Sequence, residues 1–267
     1  MLNADEKKLT MKLEFFLAKS AILHFFHYRY WTKEELHSLQ HLFSSDGSDR
    51  IWKMQLRFLC QENNDMIVAA VLADASPEEE IFLYDKFYKQ DSFVKIGMKL
   101  HIHPNGLQRW RDKFLLEISS LMNYHLPVSS MFSRNKIEVM ICCLERIISL
   151  IEPYGRYDIS FMNGLKAKLN GYQNLLFVIK QIMNSDSEHI GIQIVRLKIL
   201  NPNISCDELG KRLRISHTTV TKYIQCFQQN FYPFSISDNI TSSLKIKNND
   251  KRNKGSTCRQ NIAELLV

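Results

Sequence analysis

Residues 204–224 read ISCDELGKRLRISHTTVTKYI, and this stretch decides the fold of its part of the chain. Ser205 and Glu208 have the spacing of a capping box, in which each side chain bonds the backbone N–H of the other residue. A short helix is therefore predicted to begin here. Leu209 and Leu213 lie four residues apart, so they share the face that this helix buries.

A tight turn and a second helix are predicted after Leu213. Gly210 has no side chain, so it lets the second helix approach the first closely. Ser216 is a residue type that caps helix N-termini, which places the start of the second helix there. The side chains expected on its inner side, or between the two helices, are Ile215, Val220, Tyr223 and Ile224.

The 25 residues from Asn203 to Phe227 resemble the helix-turn-helix of bacterial transcription regulators. The resemblance implies that the second helix enters the DNA major groove with its first turns towards the bases. Short polar side chains on its exposed side would then reach bases and phosphates. These candidate DNA-binding residues are Ser216, His217, Thr218, Thr221, Lys222 and Gln225. The alternative interpretation is a helical hairpin inside an ordinary core.

A second, weaker copy of the pattern lies upstream at residues 92–110, SFVKIGMKLHIHPNGLQRW. Equivalent positions are 113 residues apart, and they are Gly97 and Gly210, Leu100 and Leu213, Ile102 and Ile215, and Leu107 and Val220. The same offset predicts a similar amphipathic helix before each copy, with Ile81, Tyr84 and Phe87 opposite Ile194, Leu197 and Leu200. An internal repeat of this size indicates two related helical domains.

The segment Ser76–Leu116 resembles the promoter-reading helix-turn-helix domain of sigma factors. Ser76, Pro77 and the acids that follow make a strong helix start, and an aromatic-rich helix precedes the copy. Two positions depart from the pattern, because Pro104 and Gly106 replace the usual polar residue and threonine. The resemblance implies DNA contacts from Asn105, Gln108, Arg109 and Arg111. The alternative for this copy is a degenerate domain used for dimerisation or for contact with RNA polymerase.

Composition favours an all-α fold. The 267-residue chain is 45% hydrophobic but has only 9 Gly and 6 Pro, too few for a turn-rich sandwich or barrel. The pair Leu126-Pro127 breaks the helical pattern and marks a domain boundary. We therefore predict helical domains over 1–126 and 127–234, each containing one helix-turn-helix (about 76–116 and 203–227), and a flexible basic tail over 235–267.

Helical periodicity and caps predict further elements. An amphipathic helix carries Leu13, Phe16, Leu17, Ser20 and Leu23, and a second helix is capped by Thr32 with Glu35. Residues 44–49 have the composition of a loop. Other helical patterns cover Ile51–Cys60, Met66–Ala73 and a block over 135–227, which is interrupted near 152–157 and 184–187.

Positive charge concentrates on the two copies and the tail. The formal net charge is +7, and the local balance is +5 over 86–113, +4 over 196–226 and +3 over 235–267. The rest of the chain sums to −5. Lys and Arg favour a polyanionic partner because they release counterions from phosphates. The alternative is a solvated basic face without a ligand.

Other chemistry finds little support. The six cysteines show no zinc-type spacing, and the pairs His37/His41 and His101/His103 have no evident further ligands, so neither a metal nor a cofactor is expected. Phosphate loops and nucleophile elbows are missing, and the paired acids fit helix starts, so an enzyme is not expected. The longest apolar run, Met66–Ala73, cannot span a bilayer, and without an export signal the cytoplasm is expected.

The sequence thus predicts a sequence-specific DNA-binding regulator of transcription, sigma-like or a repressor or activator, with double-stranded DNA as its partner. The alternative is a plasmid or phage replication or partition protein that binds DNA. A third class, an interaction protein, would use the hairpins for partner helices. RNA polymerase and a second copy of the chain are further candidate partners, through the apolar segments Phe15–Tyr30 and Ile137–Ile151.

Overall fold

The computed structural model describes residues 4–27, 48–155 and 158–232, and within these ranges it contains helices and no strand. The all-α prediction is confirmed. The α-helices of the described ranges are α1 Ala4–His27, α2 Ser48–Ala73, α3 Pro77–Leu83, α4 Phe93–Leu100, α5 Pro104–Met122, α6 Arg134–Ile151, α7 Ile159–Asn184, α8 Ile190–Leu200, α9 Cys206–Leu213 and α10 His217–Phe231. A π-helical turn, Tyr84–Tyr88, continues α3.

The described helices form two compact units. The first comprises the described residues within Met1–His125 and Cys142–Leu165, and the second those within Leu126–Ile141 and Lys166–Val267. One boundary falls between His125 and Leu126, beside the pair Leu126-Pro127 that breaks the sequence pattern. The return of 142–165 to the first unit has no counterpart in the sequence pattern.

In the first unit, α2 is one continuous helix, whereas the sequence suggested two helical patterns separated by a polar run. The polar residues of that run have partners. Asn63 is buried, donates to the Cys143 carbonyl oxygen at 3.3 Å and accepts from Arg146 Nη1 at 3.3 Å. Arg146 also pairs with the Glu62 carboxylate. Because buried polar groups are tolerated when hydrogen-bonded, the helix passes through unbroken.

Helix α1 buries small residues rather than most of its apolar stripe. Ala18, Ala21 and Ile22 are buried, while Leu13, Phe16 and Leu17 of the predicted stripe are exposed. Small alanines allow α1 to pack closely on α2 and α5, which gives them more weight in the core than their hydrophobicity suggests. The predicted helix is present, and its apolar stripe lies outside the core at these three residues.

Helix α3 begins as its sequence predicts. Ser76 Oγ accepts from the Glu79 N–H at 3.2 Å, and the Glu79 carboxylate accepts from the Ser76 N–H at 3.1 Å, which completes a capping box. Pro77 occupies the first helical position, where a missing N–H costs nothing.

In the second unit, two tyrosine hydroxyls hold the backbone of Leu126. The Leu126 N–H donates to Tyr172 Oη at 2.9 Å, and Tyr232 Oη donates to the Leu126 carbonyl oxygen at 2.7 Å. All three residues are buried, and burial raises the pKa of the Tyr172 phenol. The start of this unit is thereby tied to α7 and to the residue that follows α10.

Several predictions concern residues outside the described ranges. They are the helix capped by Thr32 and Glu35, the pair His37 and His41, most of the loop 44–49 and the tail 235–267. Ser48 and Asp49, the last residues of that predicted loop, belong to α2. None of the helices in the described ranges is both long and apolar enough to cross a membrane.

We expect Tyr172→Phe to lower the free energy of unfolding by about 1–3 kcal/mol, because the buried Leu126 N–H loses its acceptor. Tyr232→Phe should act in the same direction through the Leu126 carbonyl. Tyr88→Phe is the control, since Tyr88 is exposed, and it should stay within about 0.5 kcal/mol of the parent. Urea denaturation measures all three, and a Tyr172→Phe variant as stable as the parent would contradict the account.

Candidate nucleic-acid interface

Helices α9 and α10, the second helical pair, are joined by a tight turn. Ser205 Oγ accepts from the Glu208 N–H at 3.1 Å and starts α9. At the other end, the Ile215 N–H donates to the Gly210 carbonyl oxygen at 3.0 Å. Ser216 Oγ then accepts from the Thr219 N–H at 3.2 Å and caps α10, which begins at His217. Only residues 214–216 therefore separate the two helices.

One detail of the second helical pair differs from the sequence prediction, and a second, the position of Tyr223, agrees with it. The Glu208 carboxylate accepts from Arg212 Nη2 at 2.6 Å, so this pairing takes the place of the return bond of the predicted capping box. Tyr223 is half-buried, with its ring 5.9 Å from the His189 ring, and it covers the backbone of Gly191.

Gly210 is required by the close approach of the turn. A Cβ built on Gly210 would lie 2.9 Å from the Ile215 carbonyl oxygen, closer than real Cβ atoms come to backbone. Gly97 faces the same obstacle upstream, with 2.6 Å to the Ile102 carbonyl oxygen. Both glycines therefore fix how closely the second helix of each pair can follow the first.

Helix α10 has an apolar inner side and a polar outer side. Val220, Ile224 and Phe227 are buried, as predicted for the first two. Of the candidate DNA-binding residues, five are exposed and Thr221 is half-buried; the exposed five are Ser216, His217, Thr218, Lys222 and Gln225. The helix thus presents a polar side over its first three turns.

The candidate residues on α10 do not all have free polar groups. The Ser216 hydroxyl caps the helix and also lies 2.8 Å from both the Thr218 and Thr219 hydroxyls, so its first role is structural. His217 Nε2 lies 3.5 Å from the Thr221 hydroxyl. Lys222 and Gln225 project without a partner in the described part of the chain.

Helices α4 and α5, the first helical pair, repeat the geometry 113 residues upstream. Ser92 Oγ accepts from the Lys95 N–H at 3.2 Å, and the Ile102 N–H donates to the Gly97 carbonyl oxygen at 3.1 Å. The cap of α5 is different, because His103 Nδ1 takes the place of the Ser216 hydroxyl and accepts from the Asn105 N–H at 3.2 Å. The two pairs share one backbone design with different side chains.

The two helices that precede the helical pairs align with each other at an offset of 112 residues, not 113. The buried residues Glu79, Phe82, Leu83 and Phe87 align at this offset with the buried residues Gly191, Ile194, Val195 and Ile199. The predicted match of Ile81 with Ile194 is wrong, because Ile81 is 37% exposed and Ile194 is fully buried. The offset changes because three residues join the helix to Ser92 and four join it to Ser205.

The predicted DNA contacts of α5 divide between two sides of the helix. Asn105, Gln108 and Arg109 are exposed. Arg111 is half-buried, pairs with Asp112 at 2.8 Å and lies 5.5 Å from the centre of the Phe93 ring. The 113-residue offset places Arg111 opposite the buried Ile224, which explains why its side chain packs inward.

Most cations of the first pair are neutralised by nearby carboxylates. The ion pairs are Lys89 and Lys99 with Asp85 (3.0 and 2.6 Å), Lys95 with Asp91 (2.8 Å), Lys113 with Glu79 (2.8 Å) and Arg111 with Asp112. Lys86 donates to the Asp91 carbonyl oxygen at 2.9 Å. Of the seven Lys and Arg side chains in 86–113, Arg109 alone has no partner in the described part of the chain.

Asp85 is the centre of this neutralisation. Its carboxylate is buried, and burial by itself would raise its pKa. The hydrogen bonds and charges of Lys99 and Lys89 outweigh burial, so the pKa of Asp85 is lowered from its ordinary value. Asp85 and Glu79 lie outside the 86–113 window, which is why the sequence count overstated the free positive charge of the first pair.

The second pair keeps more of its cations free. Lys211, Arg214 and Lys222 are exposed and have no partner in the described ranges. The other three Lys and Arg of 196–226 are engaged, because Arg212 pairs with Glu208 while Arg196 and Lys198 donate to backbone carbonyls. Sequence reasoning missed Lys211 and Arg214 as candidates. Their positions in the sequence could have identified them, because Lys211 lies on α9 and Arg214 lies in the turn, two residues before the Ser216 cap of α10.

Within Ile137–Ile151, Ile137, Met140, Leu144, Ile147 and Ile148 are buried and Val139, Ile141, Leu150 and Ile151 are half-buried, whereas Phe16 and Leu17 within Phe15–Tyr30 are exposed. No group of three His, Cys, Asp or Glu side chains in the described ranges could hold a metal ion. Of the histidine pair His101/His103, His103 caps α5 and His101 occupies the turn.

Comparison with protein-family models, with curated proteins and with solved structures gave no match. The geometry and charge of the two helical pairs are therefore the features of this chain that bear on its function.

Proposed function

We propose that this protein is a sequence-specific regulator of transcription that binds double-stranded DNA and reads its bases with α10. The observation that carries the proposal is the outer side of α10, where His217, Thr218, Lys222 and Gln225 are exposed beside an N-terminus that is open to a ligand. A helix on a protein surface with this composition fits the major groove, which admits an α-helix.

The chemistry of these side chains suits base recognition. Gln225 can pair with adenine through two hydrogen bonds, and Lys222 can donate to guanine or to a phosphate. Thr218 can donate, accept or contact a thymine methyl group. The start of α10 adds its own partial positive charge, which favours a phosphate oxygen close to the backbone N–H groups of the first turn.

Free cations next to α10 supply affinity. Lys211 and Lys222 are both exposed and unpaired in the described part of the chain, on the two helices of the second pair. Each phosphate that such a cation neutralises releases counterions, which makes binding favourable and dependent on salt. The paired cations of α4 and α5 would first have to leave their carboxylates, so the first pair should contribute less.

The first pair has the same backbone design, and this favours a chain that meets DNA at two places. Two readers in one chain would suit a bipartite promoter, with contact to RNA polymerase as in sigma-like factors. They would equally suit repeated sites at an origin, which is the alternative of a replication or partition protein. Footprinting on DNA from the same genome distinguishes them, since a promoter footprint favours transcription and iterated repeats at an origin favour replication. The proposed role needs no catalytic step and places the protein with its DNA in the cytoplasm.

We expect Lys222→Glu to weaken binding to DNA at least tenfold, because it removes a favourable contact and places a negative charge beside phosphates. The probe is a duplex selected from a random pool by the parent protein, and the measurement is fluorescence anisotropy over a salt series. Lys180→Glu is the control, because Lys180 is exposed on α7, away from the second pair in sequence. The proposal fails if the pool yields no preferred sequence, or if both variants bind equally.

A second expectation concerns the first pair. Arg109→Glu should weaken binding to the same duplex less than Lys222→Glu does, with a change in salt slope of about 1 or less. The reason is that Arg109 is the single cation of 86–113 without a partner among the described residues, so few phosphate contacts depend on the first pair. If Arg109→Glu costs as much affinity as Lys222→Glu, the two pairs contribute equally and the ranking is wrong.

A further inference from the structure

Arg214 has an unusual backbone conformation for its residue type. Its φ and ψ are 55° and 42°, which is the left-handed helical region. Residues with a Cβ are disfavoured there because the side chain crowds the following carbonyl oxygen, and glycine escapes this cost. At this position, arginine therefore carries a conformational cost that glycine would not.

The conformation is imposed by the turn and not by the arginine side chain. The Arg214 N–H bonds to the carbonyls of Gly210 and Lys211, and the next residue, Ile215, bonds to Gly210. Upstream, His101 has φ 55° and ψ 35° at the equivalent place, with Ile102 bonded to Gly97. Both turns require the left-handed residue, whichever side chain it carries.

Within the described ranges, the Arg214 side chain makes no contact that would offset this cost. It is exposed and has no hydrogen bond, ion pair or ring contact in the described ranges. Its position at the C-terminus of α9 lets its charge interact favourably with the helix dipole, but that effect is small at an exposed site. The same charge lies two residues before the Ser216 cap, beside the start of α10.

We propose that Arg214 binds a DNA phosphate and so positions α10 in the groove, and that the turn keeps arginine at the expense of folding stability. This rests on the proposed function of α10. A phosphate contact carries no sequence information, so Arg214 should strengthen binding to every duplex alike. The charge of the guanidinium, and not the conformation of the turn, is what DNA recognises.

Three variants separate the effect of the Arg214 charge from the effect of the left-handed backbone conformation. Arg214→Gly removes both the charge and the strain, Arg214→Ala removes the charge and keeps the strain, and His101→Gly removes strain at the equivalent place without removing a permanent charge. We expect Arg214→Gly to raise Tm by roughly 2 °C and to weaken binding to selected and random duplexes alike by roughly tenfold. The log–log salt slope should fall by about 1.

The other two variants have distinct expected results. Arg214→Ala should weaken binding as Arg214→Gly does without raising Tm. His101→Gly should raise Tm and leave affinity and salt slope unchanged. Binding is measured by anisotropy at pH 8 and Tm by circular dichroism.

The inference is overturned if Arg214→Gly keeps the affinity and salt slope of the parent, or if it lowers Tm. It is also overturned if Arg214→Gly weakens the selected duplex alone, since that would indicate base reading. In each of these outcomes the proposed function stands as long as the parent prefers its selected duplex. A parent that shows no preferred sequence overturns the proposed function, and a parent that does not bind DNA overturns both.

Discussion

The close approach between Gly210 and the Ile215 carbonyl oxygen is the constraint on which the candidate interface depends. Because no Cβ fits between them, the turn stays tight and α10 begins at His217, directly after the Ser216 cap. Val220 and Phe227 then enter the core, which fixes the rotation of α10 about its axis. Because this rotation points the apolar side inward, the polar side chains of the first turns are exposed to solvent, where a ligand can reach them.

The same constraint operates in the first pair, yet the surface built on it is different. Gly97 and Ile102 reproduce the turn, but five lysine and arginine side chains around it are held by carboxylates. At the position equivalent to Gln225, α5 carries Asp112, which would repel a phosphate if Arg111 did not neutralise it. The two helical pairs thus share a backbone design but differ in how many of their cations are free. The second pair has more free cations, which suits a polyanion better.

Sequence reasoning was most successful where local chemistry decides the structure. The capping serines, the two glycines and the inner residues of α10 depend on spacings within a few residues, and the helices began where these signals placed them. It failed where a distant partner decides. The buried Asn63 bonds to Cys143 and Arg146, 80 residues or more away, and this bonding kept α2 continuous through a run that looked like a break.

Other features could not be found from the sequence for related reasons. Packing of Ala18 and Ala21 against neighbouring helices turned the Leu and Phe stripe of α1 outward. A loop longer by one residue shifted the register of the helix before the second pair. The free positive charge of the first pair was overestimated because a count over 86–113 omits Asp85 and Glu79. Their carboxylates pair with lysines of that range.

The central claim is that the outer side of α10 lies against DNA bases. Placing a photoreactive amino acid at Thr218, and in a second protein at the equivalent Asn105, tests it directly on a selected duplex. The account predicts crosslinks to bases in the major groove from position 218 and a lower yield from position 105. Crosslinking from position 105 alone, or none from position 218 at saturating DNA, would contradict it.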